Sequence, residues 1–137
     1  MSQWVGVART NYVAIEDMKG LLNSIKRFTV SLECGEGVYQ NKWAFFGLED
    51  GWPSVYDEVK DEEILFSFKE HVMPYVTEGE VLIVMEAGYV GSKCVTGVAI
   101  AYRRKGDKVS GIRIALADIY DKAKLKFETE EFSKAEN

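Results

Sequence analysis

Apolar residues fall in short blocks along most of this chain, and the period of each block predicts an element. Trp4-Val5-Gly6-Val7-Ala8 reads as a short buried strand, with Thr10 and Asn11 at its exit. Met18, Leu21, Leu22 and Ile25 recur at helical spacing, with Asp17 as the expected cap. Lys26 and Arg27 then fall in the last turn, where the helix dipole favours positive charge. Phe28 to Cys34 alternates and predicts a second strand. Gly35-Glu36-Gly37 is a turn, and Trp43-Ala44-Phe45-Phe46 predicts a third strand that begins near Tyr39.

A loop follows at Phe46 to Glu58. Ile64, Leu65, Phe68, Val72, Tyr75 and Val76 then predict the buried face of a second helix closed by Gly79. Val81 to Met85 is a continuous apolar run, expected to be a central, covered strand. Val95 to Tyr102 and Val109 to Leu116 predict two more strands, joined through Arg103 to Lys108 as a hairpin. In the last strand Val109, Gly111, Arg113 and Ala115 face one way and Ser110, Ile112, Ile114 and Leu116 the other. Asp118 to Ala123 reads as a short helix, and 128–137 as a charged, frayed tail.

The predicted order is strand, helix, strand, strand, helix, strand. That is the split β-α-β (βαββαβ) pattern of ferredoxin-like domains, with a C-terminal β-hairpin and short helix added. The expected architecture is therefore one α+β domain over 1–127. Both long helices should lie on one sheet face, with Leu21, Leu22, Ile25, Phe68, Val72 and Ile83 in one core. The other face is left to solvent or to a partner.

Composition agrees with a folded domain. The chain has 137 residues, 47% of them hydrophobic and 12% aromatic, enough for a real core. No apolar run approaches the length of a membrane span, and Met1-Ser2-Gln3-Trp4 lacks the start of a signal peptide. A cytoplasmic location with Cys34 and Cys94 reduced is the expectation. Net charge is −5 and unevenly spread. Residues 30–87 hold 13 acidic and 3 basic groups, whereas 88–126 hold 3 acidic and 9 basic. Such asymmetry suits a charged contact surface, although solvation of exposed faces accounts for it too.

Residues suited to catalysis are sparse in the chain. His71 is the only histidine, and no nucleophile and orienting partner accompany it. The two cysteines and one histidine lack zinc spacing. Glu49, Asp50 and Asp57 follow no calcium-loop pattern, so no metal and no cofactor is expected. Gly88-Tyr89-Val90-Gly91-Ser92-Lys93 lacks the length and ending of a phosphate loop. Arg103-Arg104-Lys105 is a basic hairpin tip on an acidic chain, so direct nucleic-acid binding is disfavoured.

Two features remain. Trp52 and Tyr56 sit on the Gly-Trp-Pro loop, either closing one end of the core or forming an aromatic contact surface. Around and after them stand Glu49, Asp50, Asp57, Glu58, Asp61, Glu62 and Glu63, more acid than a helix start requires. Together these nine residues are the candidate partner-binding surface.

Ala8-Arg9-Thr10-Asn11-Tyr12, Glu49-Asp50-Gly51-Trp52-Pro53, Glu78-Gly79-Glu80 and Asp118-Ile119-Tyr120 resemble a group of small uncharacterised proteins from phages, plasmids and related mobile elements. Those proteins are thought to be ferredoxin-like, and the resemblance covers most of residues 3–123. It implies no catalytic residues. In that context small acidic proteins are often inhibitors of host defence, of anti-CRISPR or antirestriction type. The leading expectation is thus a non-enzymatic protein that contacts a host protein or nucleoprotein complex through its acidic surface. Two alternatives stand beside it. One is a small-ligand binder or enzyme with a pocket near Arg9, Asn11, Tyr12 and Trp52. The other is a structural homodimer formed through an open sheet edge or face.

Overall fold

A computed structural model describes residues 4–48, 50–91 and 94–135, apart from the side chain of Trp4. Six strands form one antiparallel sheet: β1 (Trp4–Thr10), β2 (Val30–Cys34), β3 (Trp43–Gly47), β6 (Val81–Val90), β7 (Cys94–Lys105) and β8 (Lys108–Ala115). Their order across the sheet is β2-β3-β1-β6-β7-β8. A separate hairpin pairs β4 (Ser54–Asp57) with β5 (Glu62–Leu65). Helix α1 spans Met18–Ile25 and α2 spans Asp118–Phe127. The chain is α+β, as its pattern predicts.

Helix α1 starts where expected. Asp17 Oδ1 accepts the Gly20 amide at 2.9 Å, satisfying one of the free donors of the first turn. Leu21 and Ile25 then point into a core with Val13, Phe28, Phe45, Phe66, Phe68, Val72, Met73, Val76, Leu82 and Val84. Leu22 does not join it and is 49% exposed. The helix ends before Lys26 and Arg27, so neither lies in its last turn.

The second long helix does not form. Residues 54–65 fold back as the β4–β5 hairpin instead. Asp57 drives the reversal: its carboxylate accepts the Val59 and Lys60 amides at 3.0 and 3.1 Å, closing a turn of the kind that competes with helix. Asp61 then adopts a left-handed backbone (φ 53°), which stops any helical continuation. Between the hairpin and β6 only single turns form. A wide π-type turn covers Phe68–Val72 and a 3-10 turn covers Met73–Tyr75. Apolar positions 64, 68, 72 and 76 do reach the core, but from a strand and two turns rather than one helix face.

Register decides which side of each long strand is buried. Thr10 pairs with Val84, Ala8 with Glu86, Leu82 with Tyr102 and Val84 with Ile100, and these residues share the core face. Ile83 falls on the opposite face, next to Ala101, and does not enter the core. Both faces of β6 are apolar, as the continuous run implies, yet only one is covered. Leu82 and Val84 are buried, whereas Val81 and Met85 are 43% and 54% exposed.

The β7–β8 hairpin is long and its two-residue turn, Gly106-Asp107, is tied back to the domain. Arg104 donates from Nε and Nη2 to the Val76 carbonyl, at 3.2 and 2.8 Å, and pairs with Glu16 at 3.0 Å. Glu78 accepts the Gly106 amide. Helix α2 follows β8 and buries no side chain. The tail is not free of it: Phe132 stacks on Tyr120 and Glu130 pairs with Lys124 at 3.0 Å.

Candidate functional site

The open face of the sheet is the most unusual surface of the molecule. Strands β6, β7 and β8 are apolar at both odd and even positions, and the chain makes only enough helix and turn to cover one side. On the uncovered side Val7 pairs with Ala87 and Ala87 with Gly97. Met85 pairs with Ala99, and Ala99 with Ile114. Small residues thus meet in the middle and large ones stand on either side. The result is a trough of about 400 Å³ with a floor of Ala87, Gly97 and Ala99. Val7 and Met85 form one wall, Ile114 and Leu116 the other.

Its depth depends on Gly97. A Cβ there would lie 3.0 Å from Leu116 Cδ1, so the missing side chain is what lets Leu116 lean over the floor. The Leu116 amide donates to the Gly97 carbonyl at 2.9 Å and holds the wall in place. The trough continues past Ala87 toward Val5, Tyr89 and Val95. Val5, Val7, Met85, Tyr89, Val95, Ile112, Ile114 and Leu116 are each between 41% and 71% exposed. At on the order of 100 Å² apiece they make a patch of roughly 700–800 Å², larger than a typical monomer leaves uncovered. Among the described residues nothing covers it.

Arg9 stands at one end of this face. Its guanidinium lies 4.7 Å from the centre of the Phe46 ring and 6.0 Å from that of Tyr12. Asn11 continues β1 by its side chain: Oδ1 accepts the Ile83 amide at 2.8 Å and Nδ2 donates to the Val81 carbonyl at 3.0 Å. Tyr12 stacks on Tyr39 with centroids 5.1 Å apart. Trp52 is not with them. It lies on the core side, edge-on to Phe68 at 4.6 Å, and its amide donates to Glu86 at 2.9 Å. Arg9, Asn11, Tyr12 and Trp52 therefore line no common pocket, because the sheet separates the first from the last.

Trp52 acts as an edge plug of the core. Gly47 permits it, since a Cβ there would sit 2.4 Å from the Gly51 carbonyl, and the loop folds back on the strand at that point. The buried Trp52 Nε1 has no hydrogen-bond partner among the described residues. Asp50 accepts the Gly6 amide at 3.4 Å, and Glu49 lies outside the described residues.

The acidic run is carried by the β4–β5 hairpin. Glu58, Asp61, Glu62 and Glu63 are exposed, and Tyr56 is 60% exposed beside them. Part of this charge is used at home. Tyr56 donates to Asp61, Ser54 to Glu63, and Asp57 pairs with Arg27 at 3.7 Å. The amides of Lys60 and then Val59, with the Arg27 charge, hold the Asp57 carboxyl below its ordinary range.

His71 is a packing residue in this geometry. Its Nδ1 accepts the Ser67 amide at 2.9 Å, and its ring lies against Phe66 and Phe28. Cys34 and Cys94 are both free. Among the described residues no three His, Cys, Asp or Glu side chains converge as metal ligands, and no helix is long and apolar enough to cross a membrane.

No family model, curated protein or solved structure matches this chain. The open face was not singled out by residue chemistry, because alanines, glycines and valines announce no reaction. Its signal is a count of layers: three strands apolar at both parities, and too little amphipathic helix to cover two faces.

Proposed function

We propose that this chain is a non-enzymatic protein-binding domain whose contact surface is the open face of the sheet. The observation that carries this reading is the uncovered apolar patch with a small-residue floor. Its area is close to the roughly 800 Å² that one partner contributes to a standard interface. A trough open along its length encloses a small molecule poorly, whereas a helix laid in it buries one whole face. Its walls hold no convergent set of acid, base and nucleophile, which favours binding over catalysis. The strand order β2-β3-β1-β6 supports a ferredoxin-like reading of the first part of the sheet, with the β4–β5 hairpin and two turns in place of the second helix.

One observation favours a second surface. Five carboxylates between Asp57 and Glu63 lie on a single projecting hairpin with Tyr56, a combination suited to a basic partner. The resemblance to mobile-element proteins supplies the corresponding role, inhibition of a host defence complex by protein contact. The two surfaces are separated by one experiment. A photo-crosslinking residue is placed at Ala99 on the trough floor or at Val59 on the hairpin tip, and the protein is irradiated in the producing cell. Protein adducts from position 99 and none from 59 are the expected result. Adducts from 59 alone would transfer the function to the acidic hairpin.

A further inference from the structure

The same chain that leaves the trough open also carries a helix whose apolar side chains stay largely exposed. Helix α2 buries no side chain, and Ile119, Leu125 and Phe127 are 59%, 83% and 70% exposed. Ile119, Ala123 and Phe127 follow one another at four-residue steps and so lie along one stripe. The stripe is about 12 Å long at 1.5 Å per residue. Along β7 the trough runs from Val95 to Ala99, about 13 Å at the rise of a strand. Length and apolar character match.

The helix does not use its own trough. Asp118 accepts the Ala115 amide at 2.7 Å and turns the chain at the sheet edge. Ile119 and Tyr120 then border a cavity at the sheet edge, lined by Glu86, Thr96 and Arg113 of the side that carries α1 and by Val95, Gly97 and Leu116 of the open side, and no α2 residue lines the trough itself. Charge gives a direction for docking on another copy. Arg9 lines the Ala99 end of the trough and Arg103 lies further along the same face, and the residues just after the α2 stripe are acidic, Glu128 and Glu131 among them.

We propose that two copies of this chain pair by exchanging α2. Each helix lies in the trough of the other copy with Ile119, Ala123 and Phe127 facing the floor, and Glu128 and Glu131 meet Arg9 and Arg103. The contact is isologous, since each copy offers one helix and one trough. Its two halves together cover the patch described above and the exposed stripe of α2. This inference rests on the reading of the open face as a protein-binding surface and names its occupant.

Sedimentation equilibrium of the full chain tests it. The original protein should sediment with twice the chain mass at tens of micromolar. The Ile119→Asp/Phe127→Asp double variant changes only exposed side chains of α2 and should sediment at the single-chain mass with an unchanged melting temperature. Ala99→Glu on the floor should do the same. A double variant that remains a dimer while Ala99→Glu is a monomer would overturn helix exchange and keep the open-face reading. An original protein that stays monomeric at every concentration would overturn the inference. Crosslinking from position 99 in the cell would then decide the binding function separately.

Discussion

Leu116 lies over Gly97, its Cδ1 3.0 Å from where a Cβ would be, and this pair shapes the trough. The glycine is not needed for its backbone conformation, since its φ is not in the left-handed region. Leu116 is 56% exposed and free to swing outward. Gly97→Ala should therefore change stability by no more than ~1 kcal/mol in either direction, because the reduced freedom of the unfolded chain offsets the lost Leu116 contact. Chemical denaturation checks this. A much larger loss would mean that the Leu116 wall is rigidly packed.

Register makes neighbouring residues of β6 unequal. Leu82 is fully buried in the core, whereas Ile83 sits on the open face. Leu82→Ala should cost about 2–5 kcal/mol and Ile83→Ala clearly less. Thermal melting of the two variants side by side measures the difference. Equal losses would mean that the open face is as well packed as the core.

Asp57 should give the hairpin a pH dependence. Its carboxyl titrates below 3.8 when folded, because the Lys60 and Val59 amides and the Arg27 charge favour its ionised form. A depressed folded value adds stability above the unfolded value, and that stability is lost as pH falls through the folded one. Asp57→Asn should therefore be the less stable protein at neutral pH. The gap should close as pH is lowered from about 5 through 3.8 and below. Melting temperatures across that range test it, and a gap independent of pH would contradict the role given to the carboxylate.

Periodicity made most of the sheet legible. The alternation of 109–116 specified both faces of β8, and the Met18 to Ile25 stripe specified α1. It misled at 57–76, where apolar residues at helical spacing belong to a strand and two turns. The local preference of Asp57 for capping a tight turn outweighs that spacing. The apolar run Val81 to Met85 is a strand inside the sheet, and it is covered on the Leu82 and Val84 side alone. The acidic residues were legible as a cluster, but not their place on a hairpin. Trp52 was legible as a large ring on a loop, and its side of the sheet followed only from the fold. The open face joins the consecutive strands β6, β7 and β8 to Val5 and Val7 of the distant β1, so no single motif could mark it.

Met85 reports directly on whether the open face is covered. It lines the trough wall and is 54% exposed, while Met73 is fully buried and serves as an internal standard. Methionine oxidation of the purified chain, read by mass spectrometry over a range of protein concentrations, measures whether a second copy covers the open face. With a second copy over the open face, Met85 oxidises readily in dilute solution and is protected as concentration rises, and Ala99→Glu abolishes the protection. Oxidation of Met85 at one constant fast rate, at all concentrations and in both proteins, would contradict it.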